Sequence, residues 1–376
     1  MGNRGSKSVV RSSSAIVKEQ RVNGYRYLQY FCNIFKMYSN EFRNKLWLKN
    51  LYTKNFYDSP LNGFNSLNVN TRRYYVTLSD NKHKIDDLQI DPWFITGFSD
   101  GEGCFSCSVL KSSSYKLGWE VQLNFQIKLH VRDFPILLGI QHSLGGIGTV
   151  SSNQSSCAFR VRKLNELIEL VKFFDKYPLI SRKRGDYLLF KQIVSIMQLK
   201  EHLTLEGLQK IINIRATLNF GLSKELQLMF PESIPVARPL RESCVIPDSQ
   251  WIAGFTSAEG NFSVSLDKGI FKSLLFKITQ HEIDEVLLTA IKEYFNCGVC
   301  YLRKKENLID FKITKFSVIN EIIIPFFIKN PILGVKSLDF NDWCLVSEIV
   351  NKREHKLEGA IKIREIQRGM NRGRSK

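Results

Sequence analysis

The longest regular pattern of apolar and polar residues is WEVQLNFQIKLH at 119–130. Its apolar positions are Val121, Leu123, Phe125, Ile127 and Leu129. The polar positions between them are Glu120, Gln122, Asn124, Gln126, Lys128 and His130. An alternation of period two predicts a β-strand with one face on a core and the other in solvent.

Shorter runs in both halves of the chain show the same alternation. In the first half the outward positions are Cys104, Ser106, Ser108, Ala158, Arg160 and Arg162. In the second half they are Asn261, Ser263, Ser265, Ser273, Leu275, Lys277, Thr279, Asp310, Lys312 and Thr314. One polar strand face is usually only solvated, but several together predict a binding surface, since amide and cationic groups can read base edges.

Two helical stretches carry nearly the same sequence. WFITGFSDGEGCFS begins at Trp93, and WIAGFTSAEGNFS begins at Trp251. Two further blocks return in the same order, 125–133 at 276–284 and 173–194 at 326–350. Three ordered blocks predict a duplicated domain, each copy reading as helix, two strands, helix, two strands and helices.

The repeats set the predicted domain boundaries. We expect the first copy at 91–229, a linker at 230–250 and the second copy at 251–376. The linker contains four prolines, which disfavour a helix or a central strand. Residues 1–90 match neither copy and are predicted to form an irregular basic extension, with 15 Lys and Arg against 6 Asp and Glu. Its composition suits a mitochondrial transit peptide, a disordered basic arm or a remnant of an upstream reading frame.

Small residues lie four apart in both helical phrases, at Gly97 and Gly101 and at Gly254 and Ala258. Positions i and i+4 share one helix face, so the two helices are predicted to pack closely against each other. Large neighbours should anchor each helix in the core of its own copy: Trp93, Ile95 and Phe98 in the first, and Trp251, Ile252 and Phe255 in the second.

Each phrase ends on a glutamate followed by a glycine, Glu102–Gly103 and Glu259–Gly260. The glycines predict left-handed helix caps. Each glutamate then lies at the negative end of a helix dipole, which disfavours a carboxylate by about 0.3–1 kcal/mol. If the helices run parallel, the two carboxylates and nearby backbone carbonyls form a site suited to Mg²⁺, which could support phosphodiester hydrolysis.

Composition narrows the classes of function. The formal net charge of +18 over 376 residues indicates a polyanionic partner such as nucleic acid. No apolar run reaches the roughly 18 residues needed to span a membrane. The eight cysteines do not suit a disulfide scaffold, and Cys104 and Cys107 should point to opposite faces of one strand, which disfavours a shared zinc ion. The six scattered histidines give no support for an HNH nuclease.

The paired phrases resemble the motifs of LAGLIDADG homing endonucleases of the single-chain, two-repeat type, and the chain is most similar to the fungal mitochondrial, I-OnuI-like subgroup. The resemblance covers roughly 91–370 and includes KYPLI, GDYLLFKQ, ITQH and DFNDWC. It implies an α+β fold in which two pseudo-symmetric αββαββα repeats form a saddle of two antiparallel sheets.

The resemblance also implies an intron-encoded, mitochondrial enzyme that makes a staggered double-strand cut and promotes mobility of its host intron. Glu102 and Glu259 would bind the catalytic Mg²⁺ or another divalent cation such as Mn²⁺. Gly101 and Ala258 would offer backbone carbonyls, and Arg303 is the candidate for positioning water. Ser257, which replaces the Asp100 of the first copy, is expected to support a helix end rather than the metals.

We therefore expect double-stranded DNA to be the partner. We also expect the protein to act as a monomer. Two sheets with strands of about ten residues would cover about 70 Å, or roughly 20 base pairs. An RNA maturase that binds the host intron is the alternative function. A non-cutting DNA-binding protein on the same fold is a further alternative, but the presence of both glutamates favours the nuclease.

Overall fold

The computed structural model describes residues 89–239, 244–353 and 358–375. Nearly all of the basic extension predicted for 1–90 lies outside the described residues. In the first repeat the elements are α1 Pro92–Glu102, β1 Gly103–Lys111, β2 Trp119–His130, α2 Phe134–Ser143, β3 Thr149–Ser152, β4 Ser156–Val161, α3 Leu164–Lys176, α4 Lys183–Gln198, α5 Leu205–Thr217 and α6 Lys224–Met229. Residues 230–239 and 244–248 form neither helix nor strand.

The second repeat begins with the same order of helix, two strands, helix and two strands. Its elements are α7 Ser249–Glu259, β5 Gly260–Asp267, β6 Ile270–His281, α8 Glu285–Phe295, β7 Val299–Arg303, β8 Leu308–Ile313, α9 Ile324–Lys329, α10 Lys336–Asn351 and α11 Glu358–Gly369. A short helix at Phe316–Val318 and a π-helical turn at Ile319–Ile323 precede α9, and a 3₁₀ turn at Asn371–Ser375 follows α11. No helix in the described ranges is long and apolar enough to cross a bilayer.

Each repeat contains one four-stranded antiparallel sheet. The strand orders are β1-β2-β4-β3 and β5-β6-β8-β7, so β2 and β6 lie inside their sheets. Matching registers, Gly103 opposite Ile127 and Gly260 opposite Ile278, make the two sheets equivalent. The predicted α+β fold of two repeats is confirmed.

The alternation along β2 is confirmed by burial. Val121, Leu123, Phe125 and Ile127 are buried, whereas the polar residues between them are half-buried or exposed. Aromatic rings fill the core below each sheet. Phe105 packs against Phe125, Phe174, Tyr187 and Phe190 in the first repeat. In the second repeat, Phe262 contacts Phe276, Phe327, Phe340 and Trp343.

Helices α1 and α7 join the two repeats. Each begins at an aspartate whose side chain accepts a backbone N–H, Asp91 from Trp93 and Asp248 from Gln250. The four predicted small residues lie at the contact. A Cβ on Gly97 would be 2.0 Å from the Trp251 carbonyl oxygen, and one on Gly254 would be 2.0 Å from that of Phe94.

Farther along the junction, a Cβ on Gly101 would meet the Cβ of Ala258 at 2.3 Å. The amino-terminal halves of α1 and α7 therefore contact each other, as do the carboxyl-terminal ends. The helices run in the same direction, and only very small side chains allow their backbones to approach so closely.

Two details of the sequence-based interpretation are wrong. The counterpart of Trp251 is Phe94 rather than Trp93, and Trp93 packs against the core of the second repeat rather than its own. Gly103 and Gly260 have φ of −68° and −69° and are extended, because each is already the first residue of a strand. They are not left-handed caps.

Candidate active site

The helix junction places Glu102 and Glu259 together at the carboxyl ends of α1 and α7. A Cβ on Gly101 would lie 3.6 Å from the Glu259 Oε1 atom. Burial raises the pKa of Glu102, and the nearby Glu259 carboxylate raises it further. Burial also raises the pKa of Glu259. The fold thus holds two carboxylates of like charge in a partly dehydrated site, an arrangement that a cation would relieve.

Two lysines lie beside these carboxylates. Lys183, the first residue of α4, donates a hydrogen bond to the carbonyl oxygen of Gly101. Lys336, the first residue of α10, donates to the carbonyl oxygen of Ala258 at 2.7 Å. The pKa of each ammonium is lowered by burial, and that of Lys336 falls to about 8.

Sequence reasoning missed both lysines. Each stands five residues after a proline of the repeated blocks 173–194 and 326–350, Pro178 and Pro331, so aligning the two repeats residue by residue could have found them. It also missed Gln280, whose side chain hydrogen-bonds Glu259.

Asp100 and Ser257, at the position expected to support a helix end, bind the backbone segments that precede these lysines. Asp100 accepts the N–H groups of Ile180 and Ser181 at 3.0 Å each, and the indole N–H of Trp251 at 2.8 Å. Its pKa is raised by burial. In the second repeat, the Ser257 hydroxyl accepts the N–H of Leu333 at 3.1 Å. Both side chains are thus occupied with backbone and indole donors.

Arg303 does not join this group of residues. Its guanidinium forms ion pairs with Glu306 and, at 3.0 Å, with Asp310. Glu306 lies in the turn after strand β7, and Asp310 lies on the neighbouring strand β8. We therefore replace Arg303 with Lys183 and Lys336 as the candidates for the cationic role near the carboxylates.

On the first sheet, the predicted DNA-facing residues occupy one polar face. Exposed members are Ser108, Gln122, Lys128 and Arg162, and half-buried members are Ser106, Glu120, Asn124, Gln126 and Arg160. Several of them are linked: Arg160 donates to Ser151 at 2.9 Å, and Arg162 donates to Asn124 at 3.4 Å. Ala158 shares this face but is buried.

The second sheet presents Lys277, Lys312 and their neighbours on its polar face. Thr314 is exposed, and the half-buried members are Asn261, Ser263, Ser265, Ser273, Lys277, Thr279 and Lys312.

Asp310 differs from the prediction, because it is only 1% exposed. Thr279 donates to it at 2.6 Å, and Lys312 and Arg303 pair with it at 3.0 Å each. Burial alone would raise its pKa, but these hydrogen bonds and charges lower it. Asp310 orders the surrounding side chains rather than offering its own carboxylate to DNA.

Strand geometry also separates the first cysteine pair. On β1, Cys107 is buried in the core while Cys104 is on the polar face. In the described part of the chain, no three His, Cys, Asp or Glu side chains come together as a metal-binding group. Cations at the helix junction would therefore depend on two carboxylates supplemented by backbone oxygens.

A cavity of about 1170 Å³ opens beside the junction. Glu102, Ala258 and Lys336 line it together with Lys128 and Asn261 from the two polar sheet faces. Glu102 and Lys336 are thus accessible from the same side as the predicted DNA-facing residues.

Comparisons with known proteins agree with this architecture. The LAGLIDADG endonuclease family model matches twice, at 95–194 and 252–347. "Probable intron-encoded endonuclease 3" of Neurospora crassa is 36% identical over 94% of this chain. The match covers 67% of that relative, so this chain spans about two thirds of its length.

Solved structures show the same fold. The LAGLIDADG homing endonuclease I-SmaMI bound to cleaved DNA has a TM-score of 0.73 and 39% identity, over 76% of this chain and 98% of that one. I-SmaMI bound to an uncleaved DNA target in the presence of calcium ions gives a TM-score of 0.73 and 38% identity, over 75% and 99% of the two chains. The I-OnuI-like subgroup stays a prediction. With two family matches, two repeats and paired carboxylates at the helix junction, the chain belongs to the LAGLIDADG endonuclease family.

Proposed function

We propose that this chain is a site-specific homing endonuclease that cuts both strands of a DNA target of about 20 base pairs. The cut is staggered, depends on a divalent cation and promotes mobility of the host intron. One observation carries the proposal: each repeat brings one half-buried glutamate and one half-buried lysine to the same junction. Two such sets suit two phosphodiester bonds, one on each strand.

The donor set fits a hard divalent cation. Glu102 and Glu259 would hold Mg²⁺ or Mn²⁺, together with the carbonyl oxygens of Gly101 and Ala258. Carboxylates and carbonyl oxygens are the ligands that such ions prefer. The pKa values of both glutamates are raised above all by dehydration, a cost that a bound cation would offset. When bound, the cation would supply Lewis acidity and a more acidic water.

The lysines have a separate role. In the free protein Lys183 and Lys336 donate to the two carbonyl groups, which holds their ammonium groups between the helix ends. In the complex with DNA, a lysine ammonium group at this position would stabilise negative charge on the scissile phosphate. Because burial brings the pKa of Lys336 to about 8, this lysine can also exchange a proton near neutral pH.

The polar faces of the two sheets are the proposed DNA interface. Their amide, hydroxyl and cationic side chains suit contacts to base edges and phosphates. Both repeats lie in one chain, so a monomer is sufficient to cut two strands. Intron RNA as a second partner and a mitochondrial location remain proposals that rest on the resemblance to intron-encoded relatives.

The test uses the full-length protein and two DNA duplexes, one spanning the intronless copy of the host gene and one interrupted by the intron. With Mg²⁺ we expect a double-strand cut only in the intronless duplex, and chelation should abolish it. Specific binding without any cut, with Mg²⁺ or Mn²⁺, would instead support a non-cutting DNA-binding protein. Binding to intron RNA in preference to either duplex would support the maturase.

A further inference from the structure

The segments before Lys183 and Lys336 are each held by both repeats. Before Lys183, Asp100 of the first repeat accepts the N–H groups of Ile180 and Ser181, as described above. The next N–H, that of Arg182, donates at 3.0 Å to Asp284, which belongs to the second repeat. The lysine of the first repeat therefore depends on a carboxylate from the second.

The second lysine has the reciprocal arrangement. Ser257 of the second repeat accepts the N–H of Leu333. The N–H of Val335, immediately before Lys336, donates at 2.7 Å to Asp133 of the first repeat. In both cases the residue just before the lysine is bound by an aspartate that follows the inner strand of the other repeat's sheet.

These aspartates do not serve the role usual for their position. Asp133 is the N-cap residue of α2 and Asp284 that of α8, where an aspartate normally accepts an N–H from the first helical turn. Neither side chain makes that bond. Both instead bind a segment of the opposite repeat.

The surroundings fit this contact closely. Asp284 is buried. Asp133 lies against Gly334, where an added Cβ would be 2.6 Å from its Oδ1 atom. Gly334 has φ +75°, a conformation that glycine adopts readily. The segment before Lys336 is therefore shaped to accept the Asp133 carboxylate.

The contacts also have an electrostatic cost. Asp133 contributes to the raised pKa of Glu102, and Asp284 contributes to that of Glu259. A neutral acceptor would avoid this repulsion near the paired glutamates. The presence of a carboxylate at both positions indicates a need for a strong acceptor.

We propose that Asp133 and Asp284 are positioning residues that fix, across the repeat boundary, the backbone preceding Lys336 and Lys183 respectively. Each cleavage centre is then complete only when both repeats are in place. This inference rests on the proposed nuclease function. It predicts that loss of each aspartate impairs cutting of a different DNA strand.

The experiment compares Asp133→Ala and Asp284→Ala in the full-length protein, with a target duplex labelled differently on each strand. Each variant should slow cutting of one strand about 10- to 100-fold more than the other, because small displacements of a reacting group have effects of that size. The slowed strand should differ between the two variants. Asp133→Asn and Asp284→Asn, which keep an acceptor oxygen but lose the charge, should restore part of the activity lost in the alanine variants. The exposed Glu225→Ala serves as control.

A second readout needs neither metal nor DNA. Amide hydrogen exchange of 331–338 should accelerate in Asp133→Ala while that of 178–185 does not change, and Asp284→Ala should give the reverse. Equal slowing of both strands, or faster exchange in both segments, would overturn the inference. Absence of cutting by the wild-type protein would count against the proposed function, while the exchange measurement would still judge the contacts.

Discussion

The two repeats hold the same glutamate and lysine with different supporting groups. In the first repeat, Asp100 binds two backbone N–H groups and the indole of Trp251. In the second, Ser257 binds one N–H, that of Leu333. The groups proposed to act on DNA are thus identical in the two repeats, while those that only support them differ. Geometry at the junction, rather than one particular side chain, is what the fold preserves.

The two sheets share their strand order and register, but the side chains on their polar faces differ. At equivalent inner-strand positions the first sheet has Gln126, opposite Arg160, and the second has Lys277, opposite Lys312. Asp310 draws Lys312 and Arg303 together in the second sheet. Such a difference suits two unlike halves of a DNA target.

The largest expected effect comes from the glutamates, which the two repeats share. Glu102→Gln and Glu259→Gln should each reduce double-strand cleavage by a factor of about 1,000 or more, because each removes a charged ligand from the cation site. DNA affinity should be unchanged, since the sheets form the interface. Cleavage and gel-shift assays check both values, with Glu225→Gln as control. Full cutting by both single variants would refute the metal assignment.

The contact between α1 and α7 should exclude an added side chain equally in both repeats. Gly97→Ala and Gly254→Ala should each lower the free energy of unfolding by about 3 kcal/mol or more, because the new Cβ would overlap a backbone carbonyl oxygen. Gly369→Ala, where nothing lies within 4 Å of the new Cβ, is the matched control and should change little. Urea denaturation gives the values. Tolerance of alanine at 97 and 254 would show that the helices are farther apart.

Removing the supporting side chains should destabilise the protein by different amounts in the two repeats. Asp100→Ala leaves three buried donors without an acceptor, and we expect a loss of about 3 kcal/mol. Ser257→Ala leaves one such donor, so the loss should be about 1 kcal/mol. The same urea experiment measures both. Equal losses would mean that the two supports are energetically equivalent despite their different contacts.

Stability should also depend on pH through Lys336. Its pKa is about 8 in the folded protein and 10.5 ordinarily, so the unfolded chain binds more protons between these values. Stability from this group therefore rises with pH across that window, by about 3 kcal/mol in total. Lys336→Met should lack this component, while Lys183, whose pKa is also lowered, retains its own. Parallel stability curves for variant and wild type from pH 7 to 10 would contradict the assignment.

The smallest effect concerns sequence readout. Lys277 lies on inner strand β6, and we expect it to contact a base, worth about 1–3 kcal/mol of discrimination. Lys277→Ala should relax preference at one or two neighbouring base pairs in one half-site. Gln126→Ala, at the equivalent position of the first sheet, should affect only the other half. Cleavage of all single-base variants of the target provides the measurement, and a uniform loss would indicate a phosphate contact instead.

Much of this molecule follows from local patterns in the sequence. Period-two alternation located β2 and its faces, and the repeated phrases located α1, α7 and their glutamates. Those signals are local because a strand's faces and a helix's contact stripe are fixed by residue spacing.

Contacts between distant residues were not predictable in this way. Lys183 and Lys336 reach the junction because Asp100 and Ser257, together with Asp284 and Asp133, bind the preceding segments. Asp310 has the spacing of an exposed residue, yet its neighbours cover it. Gly103 follows a helix but continues as a strand, so its backbone depends on pairing with Ile127.

We propose that one carboxylate from each repeat holds the catalytic cations, and crystallography of the DNA complex with Mn²⁺ is the sharpest test of this arrangement. Anomalous difference maps should show Mn²⁺ beside Glu102 and Glu259, within bonding distance of both carboxylates and of the scissile phosphates. The Glu102→Gln and Glu259→Gln variants should lose or weaken that density. Mn²⁺ bound elsewhere, or bound at the junction equally well in both variants, would show that Glu102 and Glu259 do not hold the cations.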